Sequence, residues 1–447
     1  MTELIIKDNS LTSKKGFNEI SNITERIADK TLKQLNKEGV FVFPELIKDA
    51  EDISKDQIIL ESINDYYRSS NIMGFLGYGK ESLIIESRFS TGKDDYFFQY
   101  LLECVLEFPN ILELNTDANR DSLIFNMLLF IFPHYLKKAM RKGVFKTYIL
   151  NQYNDANLKG VIDISRHISK NIPFTGNIAY NQREFSYNND LMHLIRHTIE
   201  YIKKKAHGRK ILQKSKDEVA LVVEVTNGYE YYDRRKVIAK NIKNPIRHAY
   251  FREYRALQHL CIMILQHEKH HIGTGIREVH GILFDGSWIW EEYINLLIGS
   301  EFYHPMNKGG KGAQRLFAGN IGLIYPDFIS HDTSNRIIAD AKYKPHHNIN
   351  ASDYQQLLAY MFRFDAKKGF YLYPQSRVHG NIELRMNSGS TYEKNVCPRD
   401  DVIVYKCGLK IPDDAVDYEE FKVKIKRSEG NLQNIVLNNK MKNEGNR

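Results

Sequence analysis

Apolar residues recur at i, i+3 and i+4 over Tyr96–Phe108 and Ser122–Met140, the period of a helix with one buried face. The same period runs through Asp190–Lys205, which carries Leu191, Leu194, Ile195, Ile199 and Ile202, and through Arg252–His267. Ser287–Leu297 is helical in period but mostly apolar, which predicts a largely buried helix. Residues 1–70 look helical and polar, with one short strand candidate at Val40–Phe43. Over 72–90, Gly74, Gly77 and Gly79 punctuate an apolar run and Leu83–Ile85 looks like a strand, which predicts a hairpin. A turn and strand follow around Gly160–Ile164. Leu323–Ile329 is a strand pattern interrupted by Pro326, whose missing N–H confines it to an edge or a bulge. The polar turn His331–Asn335 joins it to a second apolar strand, Arg336–Lys344. Ser352 with Gln355 forms a capping box opening a helix through Phe364, and Gly369–Tyr373 closes the region as a strand. The Asn- and Lys-rich stretch 428–447 is expected to be disordered.

A chain of 447 residues is long enough for two or three domains. With 42% apolar and 26% charged residues it is neither a disordered chain nor a coiled-coil rod. The longest apolar run, Leu123–Phe132, contains Asn126 and stops at Pro133, well short of the ~20 residues of a membrane span. The first ten residues lack the basic and apolar pattern of a secretory signal, so a cytoplasmic location without membrane contact is expected. Cys104, Cys261, Cys397 and Cys407 are scattered, with no CxxC pair and no zinc-finger spacing, as expected of free thiols.

The net charge of +8 is unevenly spread. Between Tyr201 and Tyr250 there are 13 Lys and Arg against 5 Asp and Glu, so 13 − 5 = +8, the whole excess. Lys203, Lys204, Lys205, Arg209, Arg234, Arg235 and Lys236 are candidates for tracking a phosphate backbone. A solvated helical face is the competing reading.

The chemistry-bearing pattern lies between Gly286 and Pro374. Two carboxylates, Glu291 and Glu292, sit in a mostly apolar helix, which is costly unless each is paired, solvated or metal-bound. Asp327 follows Pro326 in an apolar run, and Asp340 and Lys342 project to one face of the second strand because strand side chains alternate. Gln356 and Tyr360, four apart, share a helical face. Phosphodiester hydrolysis needs a divalent cation to polarise the phosphoryl oxygen and generate hydroxide near neutral pH. Mg²⁺ prefers hard oxygen ligands, and Asp327, Asp340 and the carbonyl of Ala341 would supply them. Glu291, chosen over Glu292, would hold the metal-bound water or a second ion. Lys342 would orient the attacking water and offset charge on the phosphorane, with Gln356 and Tyr360 in support. His346 and His347 read as solvated loop residues. Neither Gly77–Lys80 nor Thr91-Gly92-Lys93 has the spacing of a nucleotide phosphate loop.

Pro326-Asp327 followed by Asp340-Ala341-Lys342 resembles the PD-(D/E)xK nuclease signature. The fuller run Trp290-Glu291-Glu292-Tyr293, Pro326-Asp327-Phe328, Asp340–Lys344 and Tyr354–Tyr360 resembles the McrC family of McrBC-type and LlaJI-like restriction systems. That resemblance is densest over Trp288–Pro374 and looser through Gly77–Phe89, Lys159–Asp163 and Asn188–Leu191. It implies an α+β N-terminal half and a C-terminal α/β restriction-endonuclease-like core, a mixed sheet flanked by helices. It also implies Mg²⁺-dependent cleavage of double-stranded DNA with a McrB-like AAA+ GTPase, whose GTP is bound by the partner and whose hydrolysis is stimulated. Dimerisation is one way such a subunit cuts both strands. Asp327, Asp340 and Lys342 match the catalytic triplet, Glu291 the helix acid, and Gln356 and Tyr360 the Q-x-x-x-Y helix. The expected organisation is a partner-docking segment 1–150, a basic helical segment 151–255, a nuclease domain 256–427 and the tail. A non-catalytic adaptor for a partner NTPase and a stand-alone nuclease of the same fold are the alternatives.

Overall fold

The computed structural model describes residues 2–38, 40–43, 57–90, 95–106, 120–205, 208–248, 250–270, 279–305, 314–377, 380–389 and 396–438. Thr91-Gly92-Lys93 and the last nine residues of the tail lie outside them. The chain is a mixed α/β protein. It divides into one unit of Met1–Ile111 with Gly275–Arg447 and another of Leu112–Thr274. This differs from the four consecutive segments expected from sequence. The reason is strand pairing: His280–Asp285 runs antiparallel to Ile72–Tyr78 and parallel to Val40–Phe43, so the first hundred residues fold with the C-terminal part.

The discontinuous unit holds two main sheets. The first has the strand order Thr2–Lys7, Glu81–Glu86, Ile72–Tyr78, His280–Asp285 and Val40–Phe43. The hairpin expected over 72–90 is present, with Gly79 at its turn in the left-handed region. The N-terminal stretch is less helical than expected: Thr2–Lys7 is a strand paired parallel to Glu81–Glu86. Its helices Ser21–Ile27 and Leu32–Glu38 contribute Ile23, Ile27, Leu32 and Leu35 to the core under this sheet. Gly74 (φ +139°) is needed because a Cβ there would lie 2.1 Å from the Ile282 carbonyl oxygen.

The second sheet is six-stranded and mixed. Its order is Phe302–Tyr303, Phe328–Ser330, Ile337–Ala341, Lys368–Gln375, Val396–Lys410 and Ile382–Gly389. Pro326 is not an edge residue of one continuous strand. It separates Ile321–Ile324, which pairs with Gln314–Phe317 in a small hairpin, from Phe328–Ser330 in the main sheet. A residue without an N–H cannot extend the ladder, so the chain changes sheets there. The helix Ala351–Arg363 is capped by Asn350 with Asp353, not by Ser352 with Gln355. Gly369 lets this helix lie close to the sheet: a Cβ there would meet Met361 Sδ at 2.6 Å.

The expected disorder of the tail is overturned for residues 428–438, which end the helix Tyr418–Asn438. This helix has an apolar face, with Phe421, Ile425, Leu432 and Val436 buried. Its Glu429 accepts hydrogen bonds from Tyr293 and Tyr100 at 2.6 and 2.7 Å. Polar composition concealed that face.

The second unit contains the antiparallel strands Thr147–Asp155 and Ile178–Ser186 with the short Val161–Ile162. Its helices include Arg120–Met140, Asp190–Lys203, Gly208–Gln213, Lys216–Val225, Arg234–Lys243 and Arg252–His270. The side chains expected on one face of Asp190–Lys203 are all buried. Among the described residues no helix is long and apolar enough to cross a membrane, and all four cysteines are free.

Candidate active site

The acidic helix Gly286–Ile298 leaves the end of the first sheet directly. Asp285, last residue of its strand, caps the helix by accepting from the Ser287 and Trp288 amides at 2.8 and 3.0 Å. The Gly286 amide donates to the Asn71 carbonyl (2.9 Å). Trp290, fully buried, donates its indole N–H to the Leu372 carbonyl (3.0 Å) in the second sheet. The N-terminal half of the helix is thereby pinned, and Glu291 directly follows that anchor. Glu292 is occupied elsewhere, accepting from the Trp288 indole at 3.2 Å.

Asp327 immediately precedes the strand Phe328–Ser330 and Asp340 lies in its antiparallel neighbour Ile337–Ala341, whose register sets Phe328 opposite Ala339. Asp327 Oδ2 accepts from the Ala341 amide at 2.8 Å. The amide of Ala341, rather than its carbonyl, is thus the group seen engaged with an acid. Asp340 is 2% exposed, and its buried Oδ2 takes no hydrogen bond but lies 2.7 Å from Lys342 Nζ. Lys342 also donates to Gln356 Oε1 at 3.2 Å and stands 3.8 Å from Asp353. Gln356 in turn donates to the Tyr360 hydroxyl at 2.8 Å. The sequence-predicted Asp327, Asp340, Lys342, Gln356 and Tyr360 therefore gather at one end of the central strands.

The electrostatics are those of a crowded acidic site. Burial, then the charges of Asp340 and Glu291, push the Asp327 carboxyl well above the ordinary range, against Lys342 and the Ala341 amide. Burial works against the Lys342 ammonium, yet Asp340 and Asp327 hold its pKa above the usual value. Among the described residues no three His, Cys, Asp or Glu side chains form a ready-made metal cage. Mg²⁺ does not require one: it is commonly held by one or two carboxylates, with waters and substrate phosphates completing the shell. Two buried carboxylates, Asp340 paired with Lys342 and Asp327 pushed up by burial and neighbouring charge, are hard oxygen donors of the chemistry that Mg²⁺ takes.

Several residues at this site had no sequence motif to reveal them. His304 contacts the Asp327 carbonyl oxygen through Nδ1 (2.8 Å) and approaches Glu291 through Nε2 (3.7 Å). Asp353 accepts from Lys344 (2.6 Å) and from the Asn350 amide (2.8 Å). The signal for Asp353 was its place in the first turn of a helix after a D-A-K strand. Arg88 donates to the Tyr343 carbonyl and stacks on its ring at 4.8 Å, and it pairs with Asp8 at 3.4 Å. Tyr343, 3% exposed, hydrogen-bonds Ser87 Oγ at 2.8 Å. The first sheet thus grips the backbone immediately after Lys342. His347 is exposed, as expected, and the His346 carbonyl accepts from Lys406 at 3.2 Å.

The basic candidates lie in the other unit and divide into two sets. Lys203 is paired with Glu200 (2.9 Å) and Lys236 with Asp233 (3.7 Å), while Arg209 and Arg235 are exposed. Lys204, Lys205 and Arg234 gather over tyrosine rings.

The mixed sheet thus ends in two acids and a lysine, with a third acid carried by the buried helix beside it. The family model of the McrBC 5-methylcytosine restriction system component matches residues 67–374, more than half of the chain. The chain belongs to that family, as its resemblance to McrC proteins led us to expect. Among solved structures it is similar to a refined half-complex from a tetradecameric assembly of Thermococcus gammatolerans McrB AAA+ hexamers with bound McrC. The identity is 14%, covering 96% of this chain and 100% of that one, at a TM-score of 0.44. A second is the cryo-EM structure of the Thermococcus gammatolerans McrBC complex, at 12% identity over 67% of this chain and 87% of that one, TM-score 0.30. No curated protein matches the chain.

Proposed function

We propose that this chain is the Mg²⁺-dependent DNA endonuclease subunit of a McrBC-like restriction system, built on a PD-(D/E)xK core. In this reading it cleaves phosphodiester bonds together with a McrB-like AAA+ GTPase and stimulates that partner's GTP hydrolysis. The observation that carries it is the meeting of Asp327, Asp340 and Lys342, from 16 residues of sequence, at one sheet end, with Lys342 Nζ 2.7 Å from Asp340. Asp327 and Asp340 would hold the metal, with Glu291 and the Ala341 carbonyl as further oxygens. Bound there, Mg²⁺ would supply Lewis-acid polarisation of the phosphoryl oxygen and a more acidic water. Lys342 places a fixed positive charge where the phosphorane becomes more negative. Gln356 holds the ammonium in line, and Tyr360 holds Gln356. Glu291, 3.7 Å from His304, would hold the metal-bound water or a second ion.

The test is cleavage of long methylated and unmethylated duplex DNA with Mg²⁺, comparing wild type with Asp340→Ala, each with and without the AAA+ partner and GTP. Cutting that requires the partner and is lost in Asp340→Ala is expected. Equal cutting by Asp340→Ala would show that the site is wrong. No cutting by either, with both accelerating GTP hydrolysis, would make the chain an adaptor.

A further inference from the structure

The second sheet is edged by Phe302–Tyr303, which runs antiparallel to Phe328–Ser330. The register sets Phe302 opposite Ser330 and Tyr303 opposite Ile329. The His331 amide donates to the Glu301 carbonyl (2.9 Å), so Glu301 and His331 are a hydrogen-bonded pair. Such pairs alternate along an antiparallel ladder, which makes Tyr303 with Ile329 the next and Pro305 with Asp327 the one after. The residue due to donate to the Asp327 carbonyl is therefore a proline, which has no N–H. Pro326, on the other side, cannot donate either. The ladder thus stops short of the acid.

The imidazole of His304 fills that place. Its Nδ1 lies 2.8 Å from the Asp327 carbonyl oxygen. A carbonyl only accepts, so Nδ1 carries the hydrogen. The ring is stacked on Phe328, centroids 4.9 Å apart, and Nε2 is turned to Glu291 at 3.7 Å. Asp327 is consequently held through two bonds. Its carboxylate accepts from the Ala341 amide of one neighbouring strand (2.8 Å), and its carbonyl accepts from a residue that follows the other.

We propose that His304 is a positioning residue for the metal-holding acids. Its Nδ1–H replaces the ladder bond that Pro305 cannot make, fixes the main chain of Asp327 and so keeps the carboxylate aimed. The inference rests on reading Asp327 and Asp340 as the pair that holds the metal. A histidine that only filled space would be served by any side chain of its shape, whereas this role depends on one N–H.

The experiment is Mn²⁺ binding to the full chain without DNA or partner, read by electron paramagnetic resonance, with Mn²⁺ standing in for Mg²⁺ on oxygen ligands. His304→Leu and His304→Asn have the same shape and differ in the N–H. His304→Leu should weaken Mn²⁺ binding about 10-fold, a usual cost of losing a group that orients a metal ligand. His304→Asn, whose amide donates to the same carbonyl, should stay within about 3-fold of wild type. His304→Phe, a second donor-free variant, keeps the ring on Phe328 and should be as weak as His304→Leu. Pro305→Ala added to His304→Leu returns an amide to the ladder and should recover part of the loss. Thermal melting of each variant separates lost binding from lost fold. Equal affinities in the Asn and Leu variants would overturn the proposal, leaving the imidazole a packing residue. Asp340→Ala tests the underlying reading: if it binds Mn²⁺ as wild type does, the metal site itself is misplaced. If it loses binding while His304→Leu retains it, the role of His304 alone falls.

Discussion

Replacing Lys342 by Met removes the ammonium that stands 2.7 Å from the buried Asp340 Oδ2. At an effective dielectric of about 20, unit charges at that distance attract by about 6 kcal/mol. Desolvation of the two groups offsets part of this, and breaking one side of a buried pair typically costs about 3–5 kcal/mol. The side chains are 18% and 3% exposed, so solvent screening is modest. The variant should therefore be destabilised by about 3–5 kcal/mol at pH 7.5 without metal. Its stability should recover on acidification: with Lys342 gone, the opposing charge on the already raised Asp327 carboxyl is lost, and the folded state binds protons more readily than the unfolded one. Mg²⁺ should restore stability by replacing the lost charge. Denaturant unfolding at pH 7.5 and 5.5, with and without Mg²⁺, measures all three effects. The double variant Lys342→Met with Asp340→Asn should lie closer to wild type than Lys342→Met alone. A Lys342→Met protein as stable as wild type at pH 7.5, with no response to pH or Mg²⁺, would refute the reasoning.

Asp327→Asn should stabilise the metal-free protein by about 1 kcal/mol at neutral pH while abolishing cleavage. The raised Asp327 carboxyl makes stability fall as pH rises through its folded pKa, and the amide removes that fall in a pH-dependent melting series. Arg88→Gln should lower the cleavage rate about 10-fold with little change in DNA affinity, because it loosens the Tyr343 backbone next to Lys342 rather than contacting substrate. Single-turnover kinetics against a binding isotherm separates the two. Truncation after Arg427 should cost about 3–6 kcal/mol, the worth of burying Leu432 and Val436, with further loss from Glu429. A truncated protein with an unchanged melting curve would mean that this helix does not cover Tyr293. Gly369→Ala should cost about 1–3 kcal/mol because its Cβ would crowd Met361 and Leu357, again read by melting.

Local pattern was enough for much of the site. The acidic helix, the D-A-K strand and the Q-x-x-x-Y helix were legible because helical and strand periods put Gln356 with Tyr360, and Asp340 with Lys342, on common faces. Composition misled at the tail, where scattered apolar residues form a buried helical face. The capping residue of Ala351–Arg363 was misassigned because Ser352-x-x-Gln355 and Asn350-x-x-Asp353 are equally good boxes in sequence; Asp353 is selected in the fold by its ion pair with Lys344.

The sequence by itself determined which residues are the candidates for chemistry, the order of elements around them and the family to which the chain belongs. Only the tertiary structure decided their company. Glu292 accepts from the Trp288 indole, while Glu291 stands 3.7 Å from His304, whose other ring nitrogen meets the Asp327 carbonyl. The first hundred residues join the C-terminal part because one strand, His280–Asp285, inserts between two of theirs. Arg88 grips Tyr343 across 255 residues of chain. These are non-local contacts, fixed by strand register and side-chain packing between distant segments, and no periodicity within a short window encodes them.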